Sequence, residues 1–225
     1  MGTSGGGSAS GGGTLPVAAP GSVDLSLRHR PVLERGRRRF ELILRSGREV
    51  LLRDGVDALS CVDVADHAGI PVGSVYQFFP NKYALVAELA EEDTVALESS
   101  LDRYGTNFPA EDWQRAVDGL IDHLASEWRD DPSRRAVWLA MQSTGPTRAR
   151  AAQHSRRVTA HVAALLEPLT VGMSTTRRTT VAEVVVEMCH SLLHFSVHDG
   201  QPHPATVREL KRALRSYLRA VALGS

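Results

Sequence analysis

Between Phe40 and Val221 the apolar residues recur three and four positions apart, and no stretch alternates apolar with polar between hairpin signals. That periodicity puts each apolar set on one face of a helix, so the chain is expected to be all-α, with about nine helices. The first is expected from Arg35 to Asp54, with Phe40, Ile43, Leu44, Gly47 and Leu51 on one face and Gly55 as its stop. Two short helices follow, near Val62 to Ala68 and Val72 to Phe78, and a long fourth starts at Asn81, a good N-cap, and runs to about Tyr104. Pro109 opens a fifth to about Arg129, Pro132 a sixth, and Pro146 a seventh that ends near Pro168. The last two, Thr175 to His198 and Pro204 to Leu223, are separated by the breaker run DGQPHP.

A chain of 225 residues buries enough surface to need no disulfide or metal staple. Its two cysteines, Cys61 and Cys189, are too far apart to form a recognisable framework, which suits a reducing cytoplasm. No apolar run approaches the ~18 residues of a membrane span. The first residues have neither a basic leader nor an apolar h-region, so residues 1–27, Gly/Ser-rich with eight glycines by residue 24, are expected to be a flexible tail. The formal net charge is zero, which excludes a global field for phosphates, but the zero is a sum. From Arg28 to Arg39 six arginines against Glu34 make a +5 segment, and from Tyr83 to Asp112 eight carboxylates against Arg103 make −7. The acidic stretch is expected to repel phosphates and orient the approach of a polyanion to the basic end.

The most informative segment is Ser60 to Lys82, SCVDVADHAGIPVGSVYQFFPNK. Ser60 and Asp63 make a capping box, and Val64, Ala68, Ile70 and Val75 supply a small apolar cluster. Gly69 suits the positive φ of a tight turn. Two short helices joined this way form a helix-turn-helix, whose second helix lies in the DNA major groove, although a tight corner in an all-helical core uses the same residue types. On the groove reading Val75 and Phe79 face inward against Val64, while Val72, Gly73, Ser74 and Gln77 face the bases. Gln77 is the side chain there able to pair with adenine through two hydrogen bonds, and Val72 could touch a thymine methyl. Gly73 and Ser74 are small enough to let the helix approach closely. Ser60 could add a hydroxyl contact, and Arg35, Arg37 and Arg38 a basic arm over phosphates or the minor groove.

The run SVYQFFPNKYAL, with RSGREVLLRDGVDALSCVDVADHAG before it, resembles the tetracycline-repressor (TetR) family of bacterial regulators over residues 37 to 90. Gly55, Ala65, Gly69, Tyr76 and Lys82 fall in register with that family's pattern. The resemblance implies that Tyr76 and Lys82 bind phosphates. Phe78 stands where the family often has a phosphate-binding His, and Cys61 where a Thr is common, so neither contact carries over. The resemblance further implies residues 28–82 as the DNA-binding domain and residues 83–225 as a ligand-binding and dimerisation domain. It points to a homodimeric, ligand-responsive repressor on a palindromic operator, with a small-molecule effector as second partner and no cofactor.

Elsewhere the candidates are weaker. Trp113, Trp128 and Trp138, with Met141, could line an apolar ligand cavity or serve as core. His190, His194 and His198 share a helical face, which suits either a polar stripe or a metal site, and the metal reading would make the chain a helical metal-dependent enzyme. No HExxH and no nucleophile motif accompanies them, so no enzymatic activity is expected. Cys61 at a helix start suits a small core residue or a reactive thiol. The last two helices carry stripes that include Val184, Met188, Leu192 and Phe195, and Leu210, Leu214, Tyr217 and Val221. One chain has too few other helices to cover both stripes, and the resemblance implies that they pair with a second subunit in a four-helix bundle.

Overall fold

The computed structural model describes residues 23–105, 112–198 and 201–224. Among the described residues there are nine α-helices, one 3₁₀ turn and no strand. Helix α1 spans Glu34–Ala58, α2 Cys61–Ala68, α3 Val72–Tyr76 and α4 Lys82–Gly105. They are followed by α5 at Trp113–Asp130, α6 at Pro132–Ser143, α7 at Gly145–Leu165, α8 at Thr175–Phe195 and α9 at Pro204–Leu223. No helix among the described residues is long and apolar enough to cross a membrane.

Local chemistry explains most of the ends. At Gly55 the backbone adopts φ 75° and ψ 172°, which bends α1, and helical hydrogen bonding resumes to Ala58 instead of stopping there. Ser60 accepts from the Asp63 amide to start α2, and Gly69, at φ 64° and ψ 35°, closes it in the left-handed region. Helix α3 ends at Tyr76, two residues short of the expected Phe78, because Phe78 and Phe79 turn into the core. The Asn81 side chain accepts from the Ala84 amide at 3.0 Å and so caps α4 as expected. Asp131 and Thr144 cap α6 and α7, each followed by a proline in the first turn. Helix α7 stops at Leu165 and passes into the 3₁₀ turn Glu167–Leu169, and α8 ends at Phe195 rather than His198. The expected opening of the fifth helix at Pro109 lies outside the described residues, as do most of the tail and the first two residues of the DGQPHP run.

Two cores result. Phe40, Ile43, Leu44, Val50 and Leu51 of α1 pack with Val64, Val75, Phe78 and Phe79 and with Leu85 and Leu89 of α4. Gly47 lets α4 come close, since a Cβ there would sit 3.1 Å from a Leu85 methyl. Val137, Ala140 and Met141 of α6 complete this core, so the first half of α4 and one face of α6 belong to the N-terminal unit. The second core joins α5, α8 and α9 through Trp113, Val117, Ile121, Val181, Val185, Leu210, Leu214 and Leu218.

That second core corrects the expectation for the last two helices. Leu210 and Leu214 are fully buried within one chain, and Val221 is buried as well, because α5 covers the stripe of α9. Ion pairs Lys211–Asp122 and Arg215–Asp118 hold the two helices in register. Met188, Leu192 and Tyr217 are half-buried at the edge of this core. Val184 and Phe195 on α8 remain exposed, Phe195 at 52%.

Candidate nucleic-acid interface and effector cavity

The helix-turn-helix is held from behind. Val64, Val75 and Phe79 are fully buried, and Phe79 stacks on Phe40 while Phe78 meets it edge to face, with ring centroids 5.2 and 5.4 Å from it. Phe78 therefore serves the core where a polar residue would reach outward. Val72, Gly73, Tyr76 and Gln77 lie exposed on the opposite face of α3, with Tyr76 at 38%. This face presents an amide, a phenol and a small-residue opening at the helix start, a set suited to base edges and backbone phosphates.

Three expected contacts sit elsewhere. Ser74 is 8% exposed, and its hydroxyl accepts from Arg39 Nη1 at 3.3 Å, so it ties α3 to α1 instead of facing outward. Lys82 donates from Nζ to the carbonyl oxygens of Val56 and Asp57 at 2.9 and 3.0 Å, closing the end of α1 after the Gly55 bend. The Ser60 hydroxyl is engaged with the Asp63 carboxylate while accepting from its amide. All three side chains are thus engaged within the domain.

The segment before α1 is docked from Asp24 onward, within the stretch expected to be a tail. Asn81 Nδ2 donates to Asp24 O at 2.8 Å, Leu27 packs on the first core, and the Arg28 amide donates to Phe78 O at 2.9 Å. His29 stacks on Phe78 with centroids 4.9 Å apart, and its Nδ1 lies 3.2 Å from Gln77 O. This strap follows the C-terminal end of α3, a contact that helical periodicity has no means of revealing. Arg35, Arg37 and Arg38 are exposed; Arg37 donates to Val32 O and Arg38 to Glu34. They remain available to phosphates at the cost of weak local bonds.

The acidic stretch is largely neutralised, which removes the expected repulsive field. Glu88 pairs with Arg30 at 2.8 Å, and Arg48 bridges Glu92 and Asp93 at 3.2 and 2.8 Å. Arg157 of α7 grips Glu91 and Glu98 of α4 at 2.6 and 2.7 Å. Glu111 lies outside the described residues. His154 joins this α4–α7 network: its Nδ1 is 3.2 Å from Thr94 Oγ1, and its Nε2 is 3.2 Å from Glu91 Oε2, off the line of a hydrogen bond. Burial lowers the His154 pKa, with Glu91 opposing.

Between α4, α5, α6, α7 and α8 lies a cavity of about 930 Å³, a size that suits a small organic ligand. Trp128, Trp138 and Met141 line it, whereas Trp113 is in the core between α5 and α9 and does not. The Trp128 and Trp138 rings are 6.3 Å apart, and His194 lies 4.8 Å from Trp138. His190, from the polar stripe, and Cys189 beside it also reach this wall. The histidines of the stripe thus diverge: His190 faces the cavity, His194 packs on Trp138, and His198 stacks on Phe195 and His203. Among the described residues no three His, Cys, Asp or Glu side chains are grouped to hold a metal ion, so the metal-dependent enzyme reading has no site. Burial pushes the Cys189 thiol up to about 12 and raises Cys61 as well, so both stay protonated and unreactive.

Comparison with known proteins bears on both halves. Residues 43–89 match the model of "Bacterial regulatory proteins, tetR family", and residues 111–222 that of "Tetracyclin repressor-like, C-terminal domain". An uncharacterised HTH-type transcriptional regulator of Bacillus subtilis, YvdT, is 34% identical over 85 residues, 37% of this chain and 42% of that one. The match therefore spans less than half the length of this curated relative. A TetR-family transcriptional regulator from Streptomyces coelicolor superimposes with a TM-score of 0.56 at 27% identity, covering 81% of this chain and 99% of that one. A proposed transcriptional regulator from Pseudomonas aeruginosa gives a TM-score of 0.69 at 19% identity over 86% and 94% of the two chains.

Proposed function

The chain belongs to the tetracycline-repressor family and is a DNA-binding transcriptional regulator, and from that premise we propose that it is a cytoplasmic, ligand-responsive repressor binding a palindromic operator as a homodimer. The observation that carries the reading is the division of α3, with Val75 locked in the core and Tyr76 and Gln77 free on the other side. Gln77 reads a base edge, Val72 touches a methyl, and Tyr76 with Arg35, Arg37 and Arg38 holds phosphates.

The second subunit docks on α8 and the adjoining edge of α9, through Val184, Met188, Leu192, Phe195 and Tyr217. Two-fold symmetry then sets two recognition helices about 34–36 Å apart, one turn of DNA. The cavity takes the effector. Helix α4 joins the two functions, since its first half is in the DNA-binding core and its second half lines the cavity through Thr94, Leu97 and Leu101. A ligand that prefers one tilt of α4 shifts the spacing of the recognition helices.

Selection of bound fragments from random DNA, followed by titration in rising salt, tests this reading. A palindromic site bound at least 10³-fold more tightly than random DNA is the expected result. Binding with no sequence preference at any salt concentration would reject it.

A further inference from the structure

The cavity wall carries more information than its size. Its interior charges are already matched: Asp93 is bridged by Arg48 at 2.8 Å, and Glu127 lies 3.4 Å from Arg134. The wall's unpaired charges, Arg148 and Arg156 of α7 with Glu183 and Glu187 of α8, all lie in solvent at the rim and are of both signs. Inside, the Thr94 hydroxyl is spent on Ala90 O. The interior polar groups that make no hydrogen bond among the described residues are the His190 imidazole, the Ser155 hydroxyl, the indole N–H groups of Trp128 and Trp138, and His154 Nε2, which is turned to Glu91. Burial lowers the His190 pKa, Glu187 offsetting it in part, so the ring is neutral at pH 7.

A charged ligand group placed inside this wall loses its hydration and finds no free counter-charge, which weakens its binding. An uncharged polar group loses only hydrogen bonds to water and can remake one at the imidazole. Accepting the cavity as the effector site, as proposed above, we infer that its ligand class is an uncharged, mainly apolar molecule carrying one hydrogen-bonding group, an alcohol or carbonyl, that meets His190. The tryptophan pair supplies flat apolar surface for the rest of the molecule.

Three probes with one tail and different heads separate the alternatives: 1-decanol, decanoate and decylammonium, titrated at pH 7.5 against the tryptophan fluorescence of the whole protein. A common tail cancels the apolar contribution, so the ratio of affinities reports the head. Decanol is expected to bind about tenfold or more tightly than either ion. His190→Phe, which keeps bulk and removes the hydrogen bond, is expected to weaken decanol about fivefold without moving the two ions. Tighter binding of decanoate, which would mean capture by the rim arginines, overturns the inference, as does tighter binding of decylammonium at the rim glutamates. Equal decanol affinity in His190→Phe, with the thermal midpoint retained, removes His190 from the site. Binding by none of the three overturns the ligand class; operator binding measured on the same sample shows whether the regulator reading survives it.

Discussion

At Lys82 the ammonium lies within hydrogen-bonding distance of two carbonyls that the Gly55 bend exposes, so its charge closes a helix rather than waiting for a phosphate. Lys82→Met should cost about 1–2 kcal/mol of stability, read as a lowered thermal midpoint, with a small change in salt slope. Gln77→Ala makes the opposite prediction: an unchanged midpoint and a relaxed base preference at one operator position, worth about 1–3 kcal/mol of discrimination, seen by repeating the selection. Phe79→Ala should cost about 3–5 kcal/mol by emptying a fully buried ring site, measured by urea unfolding. The inward set of this segment was legible because Val64, Val75 and Phe79 obey a helical period. Ser74 and Lys82 were not, since a small hydroxyl or a long flexible ammonium suits both a nucleic acid and a neighbouring helix, and nothing in the sequence marks Arg39 or the carbonyls of Val56 and Asp57 as their partners.

At the scale of elements, an amphipathic stripe states that a helix has a partner but not which chain supplies it. The stripe of α9 is answered by α5 of the same chain, through Trp113, Val117 and Ile121, while Val184 and Phe195 on α8 have no such cover. Two substitutions separate the cases. Leu214→Arg places a charge at a position 1% exposed and should unfold the α5–α8–α9 core, visible as lost helicity. Phe195→Arg should leave helicity and midpoint within a few tenths of a kcal/mol per chain yet yield monomers by sedimentation and weaken operator binding. The number of helices and most of their starts were readable from capping residues and prolines. The docking of residues 24–30 along α3 was not, because the strap has no period and depends on Phe78 and Asn81, fifty residues away in sequence.

For the whole molecule, net charge misleads: the acidic stretch that balances the arginines is not a free field but one side of salt bridges to Arg30, Arg48 and Arg157. Three imidazoles complete the electrostatic picture. Burial lowers His154, His190 and His194, so the unfolded chain takes up protons that the folded one refuses. Their contribution to stability is whole above the unfolded value of about 6.5 and is lost as pH falls below it toward the folded values. The thermal midpoint should therefore drop between pH 7.5 and 5.5, and His194→Phe should flatten that drop. The central claim, that one dimer reads two half-sites with two copies of α3, is tested most directly by changing their spacing. Inserting five base pairs at the centre of the selected operator turns the half-sites to opposite faces of the duplex. The account predicts a loss of about 100-fold or more in affinity, restored in part by inserting ten; equal binding to all three spacings would contradict it.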